Sequence, residues 1–112
     1  MIMRHIRLIA ADRAKGDMDR IDEHSRIVRN DSIPTGVIDG ELVALDLEKG
    51  DCFGMDQIGT RIWSLAATPG PVSAIVDQLA QEHDVDRSTC SADVIAFVAD
   101  LARSGLVRVL EE

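Results

Sequence analysis

The sequence predicts an α+β fold: a three-stranded antiparallel sheet followed by a three-helix bundle, winged-helix-like in outline. Three observations carry this. Apolar residues alternate with period two as far as Met55 and take up helical spacing from Asp56 onward. Gly- and Pro-containing turn signals separate the short runs. The chain has 112 residues, 46% of them hydrophobic, which suffices for one core and not for two.

Residues 1–24 read as an N-terminal extension ahead of a domain at 25–110. Ile2, Ile6 and Ile9, with Met3 and Leu8, fit a short amphipathic helix, and a charged stretch around Gly16 reads as a tether. A partner-docking arm and a frayed tail both stay open for this segment. Ile27 and Val28 mark a strand-like stretch at Ser25–Asn30. Gly36–Leu47 contains Asp39-Gly40, a dipeptide that accepts the positive φ of a tight hairpin turn. Along Glu41–Leu47, Val43, Leu45 and Leu47 share one face, and Leu42, Ala44 and Asp46 the other. Glu48-Lys49-Gly50 reads as the next hairpin loop, and Asp51–Met55 as the third strand.

Asp56 is a good N-cap for a helix carrying Ile58, Ile62, Leu65 and Ala66 at i, i+4, i+7 and i+8. Pro69-Gly70-Pro71 stops it and starts the next, with Pro71 in the first turn. Val72, Ile75, Val76, Leu79 and Ala80 make that helix's stripe. Ser88 is a candidate cap for a third helix, whose stripe is Val94, Phe97, Val98 and Leu101. Gly105 fits a left-handed C-terminal position, and Leu106–Leu110 a brief last strand.

Charge narrows the function classes. Residues 1–30 carry seven Arg/Lys against five Asp/Glu, or +2; residues 31–112 carry five against fifteen, or −10, giving the net −8. So acidic a body repels nucleic acid and anionic lipid. The third helix carries Asp93 and Asp100 where a DNA-reading helix would carry Arg, Lys, Asn or Gln. No run reaches the ~18 apolar residues of a membrane span, and the N-terminal run is broken by Arg4 and Arg7, unlike a signal peptide. Cys52 and Cys90 form no metal or disulfide spacing, which suits a reducing cytoplasm.

Chemistry is equally unpromising. His5, His24 and His83 are scattered, and Asp46, Glu48 and Asp51 around Gly50 do not follow the order of a calcium loop. Cys52, beside Asp51, lacks the positive neighbours that activate a thiolate. No catalytic residue, metal or cofactor is expected. What remains is a sheet edge. Asp51-Cys52-Phe53-Gly54-Met55 has little charge and no Pro or Lys, and an exposed strand edge is a template for an added peptide strand. On the residues alone, Phe53 and Met55 as edge or as core stay equally open.

Gly40–Trp63, GELVALDLEKGDCFGMDQIGTRIW, resembles the PqqD-like pattern of apolar strand, Gly-containing turn, short strand with an aromatic, then a helix ending Ile-Trp. Pro71–Val107 is similar to the second half of that pattern, with its V-x-x-I-V-x-x-L helix, Asp-Val-x-x-Phe-x-x-x-Leu helix and closing Gly-Leu-Val. The resemblance covers about residues 25–108. It implies a RiPP recognition element: a non-catalytic, cytoplasmic domain that binds the leader of a ribosomally made precursor peptide. Such domains deliver the leader to a maturation enzyme, a radical SAM protein in the quinone-cofactor pathway or a leader protease and cyclase in lasso-peptide pathways. It also implies that the leader adds as a strand beside the third strand, against the third helix. Carried over by position, Asp51, Cys52, Phe53, Gly54 and Met55 supply the pairing edge, Asp93, Ala96 and Asp100 one flank of the trough, and Phe97 its floor. Two departures stand out: the extension of about 24 residues exceeds the family minimum, and Gly54 follows the strand aromatic at a position that can take a bulkier residue, which leaves the shape of the pocket open. The alternative reading is a winged-helix DNA-binding or protein–protein adaptor domain. A homodimer stays open.

Overall fold

The computed structural model describes residues 6–8, 21–47 and 50–110. The elements run β1 (Ile6–Leu8), β2 (Arg26–Arg29), β3 (Thr35–Ile38), β4 (Glu41–Asp46), β5 (Asp51–Met55), α1 (Gln57–Leu65), β6 (Gly70–Pro71), α2 (Val72–His83), α3 (Arg87–Arg103) and β7 (Val107–Leu110). The fold is α+β, as the sequence predicts, but its strands form two sheets. One has the order β1-β5-β4-β3 and the other β6-β2-β7.

The β3–β4–β5 meander is built by its turns. Asp39 and Gly40 both take positive φ, 54° and 82°, as the two central residues of a type I′ turn require. Of the two faces of β4, the one with Leu42 and Ala44 is buried, at 5% and 0% exposure, while Leu45 and Leu47 stay exposed. Asp56 caps α1, its carboxylate accepting from the Gly59 N–H at 2.9 Å.

Several expectations are corrected. The strand at Ser25–Asn30 does not join the meander: β2 pairs antiparallel with β7, Ile27 opposite Val109, and with β6, Ile27 opposite Gly70. β2 is thereby the central strand of its sheet, paired on both edges, and Ile27 is buried. Second, Asp86 and not Ser88 caps α3. Its carboxylate accepts from the Thr89 N–H, and the Ser88 hydroxyl also donates to it. A carboxylate one residue ahead of the helix reaches the free N–H groups that Ser88, already inside the first turn, cannot. Pro71, expected in the first turn of α2, is its N-cap and lies in β6.

Third, the N-terminal segment is not a helix where it is described. Ile6–Leu8 is a strand, paired antiparallel with β5. Residues 21–25 also belong to the body. Ile21 is buried in the core, and the carbonyls of Ser25 and Glu23 accept from the N–H groups of Val72 and Ser73. Those N–H groups head α2, which Pro71 cannot cap with a side chain. The stretch around Gly16 and the Glu48–Lys49 turn lie outside the described residues.

Candidate peptide-binding site

β5 lies between β4 and β1, and its alternation divides its residues into two sets. Phe53 and Met55 are core, 0% and 2% exposed. Phe97 of α3 is buried as well, and its ring closes on the same point of α1, Gly59, as the Met55 side chain. Phe97 thus packs α3 against α1, beside the core residue Met55 of β5. Cys52 and Gly54 form the second set, both half-buried, opposite Leu45 and Val43 of β4. A Cβ built on Gly54 meets nothing within 4 Å, so the sheet's outer face is open there.

The direction of the backbone groups follows from the neighbouring bonds. The Leu45 N–H donates to the Pro34 carbonyl on the β3 side, and the Gly50 N–H donates to the Asp46 carbonyl on the β5 side. With alternation, Ala44 and Asp46 turn their groups to β5, and Phe53 and Asp51 answer them. The backbone groups of Cys52 and Gly54 therefore face the opposite edge. The sequence expects that edge to be free. It is occupied: Ile6 lies opposite Met55, Arg7 opposite Gly54 and Leu8 opposite Phe53.

The α3 residues of the expected flank differ in their surroundings. Ala96 is exposed, and Asp93 and Asp100 are half-buried. Asp100 pairs with Arg103 one turn on. One carboxylate oxygen of Asp93, Oδ2, is enclosed and has no hydrogen-bond partner. Asp51 stands opposite Asp46 in the β4–β5 register.

The sequence did not reveal the ionic clamp at the start of α3. Arg87 at the start of α3 donates to Glu23 through two nitrogens, at 2.8 and 3.0 Å, and to Asp77 of α2 at 2.8 Å. The bonds from Arg87 to Glu23, with one from the Ser91 hydroxyl, pull the Glu23 carboxyl down to about 2. The residues are far apart in the chain, and only their charges hinted at a pairing. β1 had a readable signal, the apolar–basic–apolar alternation of Ile6-Arg7-Leu8, which the helical spacing of Ile2, Ile6 and Ile9 obscured.

Other chemistry finds no support in the geometry. Among the described residues no cluster of three His, Cys, Asp or Glu could hold a metal ion, and no helix is long and apolar enough to cross a membrane. Cys90 is buried against α2, and that burial pushes its thiol pKa up, away from reactivity.

A family model described as coenzyme PQQ synthesis protein D (PqqD) matches residues 41–107, from the start of β4 to the start of β7. The chain belongs to the PqqD family. Among PqqD relatives it is similar to two curated proteins called "PqqA binding protein", from Rhodopseudomonas palustris strains BisB5 and HaA2. Each is 39% identical over 57 residues, which cover 51% of this chain and 56% of the relative. The chain thus spans about half the length of the curated relatives it matches. A solved structure, TbiB1 in complex with the TbiA(beta) leader peptide, is similar with a TM-score of 0.67 at 35% identity. That match covers 76% of this chain and 99% of the other. The PqqD-like fold is therefore shared well beyond the residues that the family model matches.

Proposed function

We propose that this chain binds the leader of a ribosomally made precursor peptide by strand addition along β5, without catalysing a reaction itself. One observation carries the reading: the backbone groups of Cys52 and Gly54 face an edge that accepts an antiparallel strand, and a strand pairs there. Main-chain pairing supplies affinity, and side-chain contacts supply choice. The names of the PqqD relatives and the leader complex of the similar structure support the same reading. The flank of Asp93, Ala96 and Asp100 and the floor at Phe97 are proposed contacts of the leader's side chains. Two features suit a leader carrying basic residues: the acidic body and the unpartnered Asp93 oxygen. The bound leader is then presented, in the cytoplasm, to a maturation enzyme of the protease–cyclase or radical SAM kind.

The test is titration of the full chain with the labelled leader peptide of a precursor encoded beside its gene. Saturable binding that Gly54→Pro weakens roughly 10- to 100-fold, in a protein still folded by circular dichroism, is the expected result. Equal binding by parent and variant would remove the β5 edge from the reading.

A further inference from the structure

The docking edge is already filled by the chain itself. β1 pairs with β5 over Ile6–Leu8 in antiparallel register. By the alternation above, Arg7 and Gly54 exchange backbone bonds, so the residue of β5 best placed to receive a leader is engaged by Arg7. Residues 1–10 carry Arg4 and Arg7 and no acidic residue, a charge of +2, against −10 for residues 31–112. The sequence of the segment is thus complementary in charge to that of the body. The segment is also covalently tied to that body: twelve residues separate Leu8 from Ile21, which is buried in the core.

We propose that Ile6–Leu8 is a resident strand that occupies the leader's docking edge in cis and must leave before the leader binds. This rests on the reading of β5 as the leader's edge. Its effect can be sized. A short tether holds its strand at an effective concentration on the order of 1 mM. A three-residue strand binding an edge with Kd of about 0.1–1 mM would then fill it in about half to nine-tenths of molecules. The leader's apparent affinity falls by the open fraction, about 2- to 10-fold. The strand raises the threshold for a cognate leader modestly and excludes weaker strands from an otherwise exposed edge.

The test uses three full-length forms: the parent, Arg7→Pro, and Arg7→Cys/Gly54→Cys in a Cys52→Ser background. Proline removes the Arg7 N–H that faces β5. The paired cysteines stand opposite one another in register, a spacing of about 5.5 Å that a disulfide can span. Gly54 has open space for the new side chain. Residue-resolved amide exchange is measured first, without leader. Gly54 should lose about 2- to 10-fold of its protection in Arg7→Pro, the factor set by that occupancy, while Phe53, which faces β4, keeps its own. A synthetic peptide of residues 1–12 at ~1 mM should restore it. The leader peptide of the neighbouring precursor is then titrated. Arg7→Pro should bind it about 2- to 10-fold tighter than the parent, and the oxidised cysteine form at least 10-fold weaker than its own reduced form.

Gly54 exchange that is unchanged by Arg7→Pro overturns the resident strand. Leader affinities that are equal in all forms, with exchange changed as expected, overturn its gating role and leave the leader reading standing. If no form binds the leader, that reading falls and the gate with it. A parent that is dimeric at micromolar concentration and loses Gly54 protection on dilution would assign the strand to a second copy and overturn occupancy in cis.

Discussion

Gly59→Ala puts a methyl group into the joint between α1, β5 and α3. A Cβ at Gly59 would stand 2.7 Å from Cζ and 3.2 Å from Cε1 of Phe97, and 3.1 Å from Cβ of Met55. The first distance is a clash. Neither neighbour yields freely, since Phe97 is 4% exposed and Met55 2%. Forcing a methyl into a filled core costs about 1–3 kcal/mol. Alanine recovers part of this, because glycine inside a helix is worse by about 0.5–1 kcal/mol. The expected net loss is about 1–2 kcal/mol, a fall in Tm of roughly 4–10 °C for a domain of this size. Thermal unfolding followed by circular dichroism measures it, in a double-mutant cycle with Phe97→Leu. The shorter side chain frees the space, so Gly59→Ala should cost at least ~0.5 kcal/mol less in that background. A rise in Tm for Gly59→Ala, or the same loss in both backgrounds, would refute the account of Phe97 as the side chain that packs α3 against α1 at Gly59.

Other expectations follow from the site and the ion pairs. Cys52→Pro and Gly54→Pro both remove an N–H facing the β1 edge, so each should weaken leader binding by about 1–3 kcal/mol, roughly 10- to 100-fold in a titration. Ala96→Lys should leave Tm nearly unchanged, because Ala96 is exposed, while leader affinity falls if that flank is the contact surface; unchanged affinity would take Ala96 out of the site. Glu23 and Glu82 are both held at about 2, against an ordinary 4.5, chiefly by hydrogen bonds from Arg87 and Arg61 respectively. Their contribution to stability is complete above pH ~4.5 and drains away as pH falls toward 2. Calorimetry should show a Tm that falls across that window, with a shallower fall in Glu23→Gln and Glu82→Gln. Arg87→Ala should speed amide exchange at Val72 and Ser73, whose partners are the carbonyls of Ser25 and Glu23, and so is no neutral control for binding.

Most of the helical half was legible because each stripe recurs at helical spacing with a cap or breaker at its ends. Asp56 caps α1, and Gly105 takes the positive φ expected after α3. The β4–β5 hairpin was legible for a similar reason, since alternation and turn residues are local signals. Partners far along the chain were not. Nothing in Arg26–Arg29 distinguishes a strand that joins the meander from one that pairs with Val107–Leu110. Alternation put Phe53 and Met55 on one face of β5 but did not say which face the helices cover; their burial does. β1 is too short for its alternation to outweigh a competing helical spacing, and its place depends on which edge remains open after the rest has folded. The site was therefore readable as a strand edge and not as an occupied one.

The pairing of β2 with β7 bears on how the molecule is made. Arg29 meets Val107 and Arg26 meets Leu110, so two strands roughly eighty residues apart must come together. During synthesis at ~5–20 residues per second, β2 waits about 4–16 s for its partner. The β3–β4–β5 meander and the α2–α3 pair need only local closures and can assemble in that interval. Until then the backbone groups of Arg26 and Val28 wait for β7, and closing the small sheet is the step that locks the nascent chain. Slow codons ahead of β7 would lengthen the exposure of β2, and a chaperone that recognises short apolar strands would find its target there.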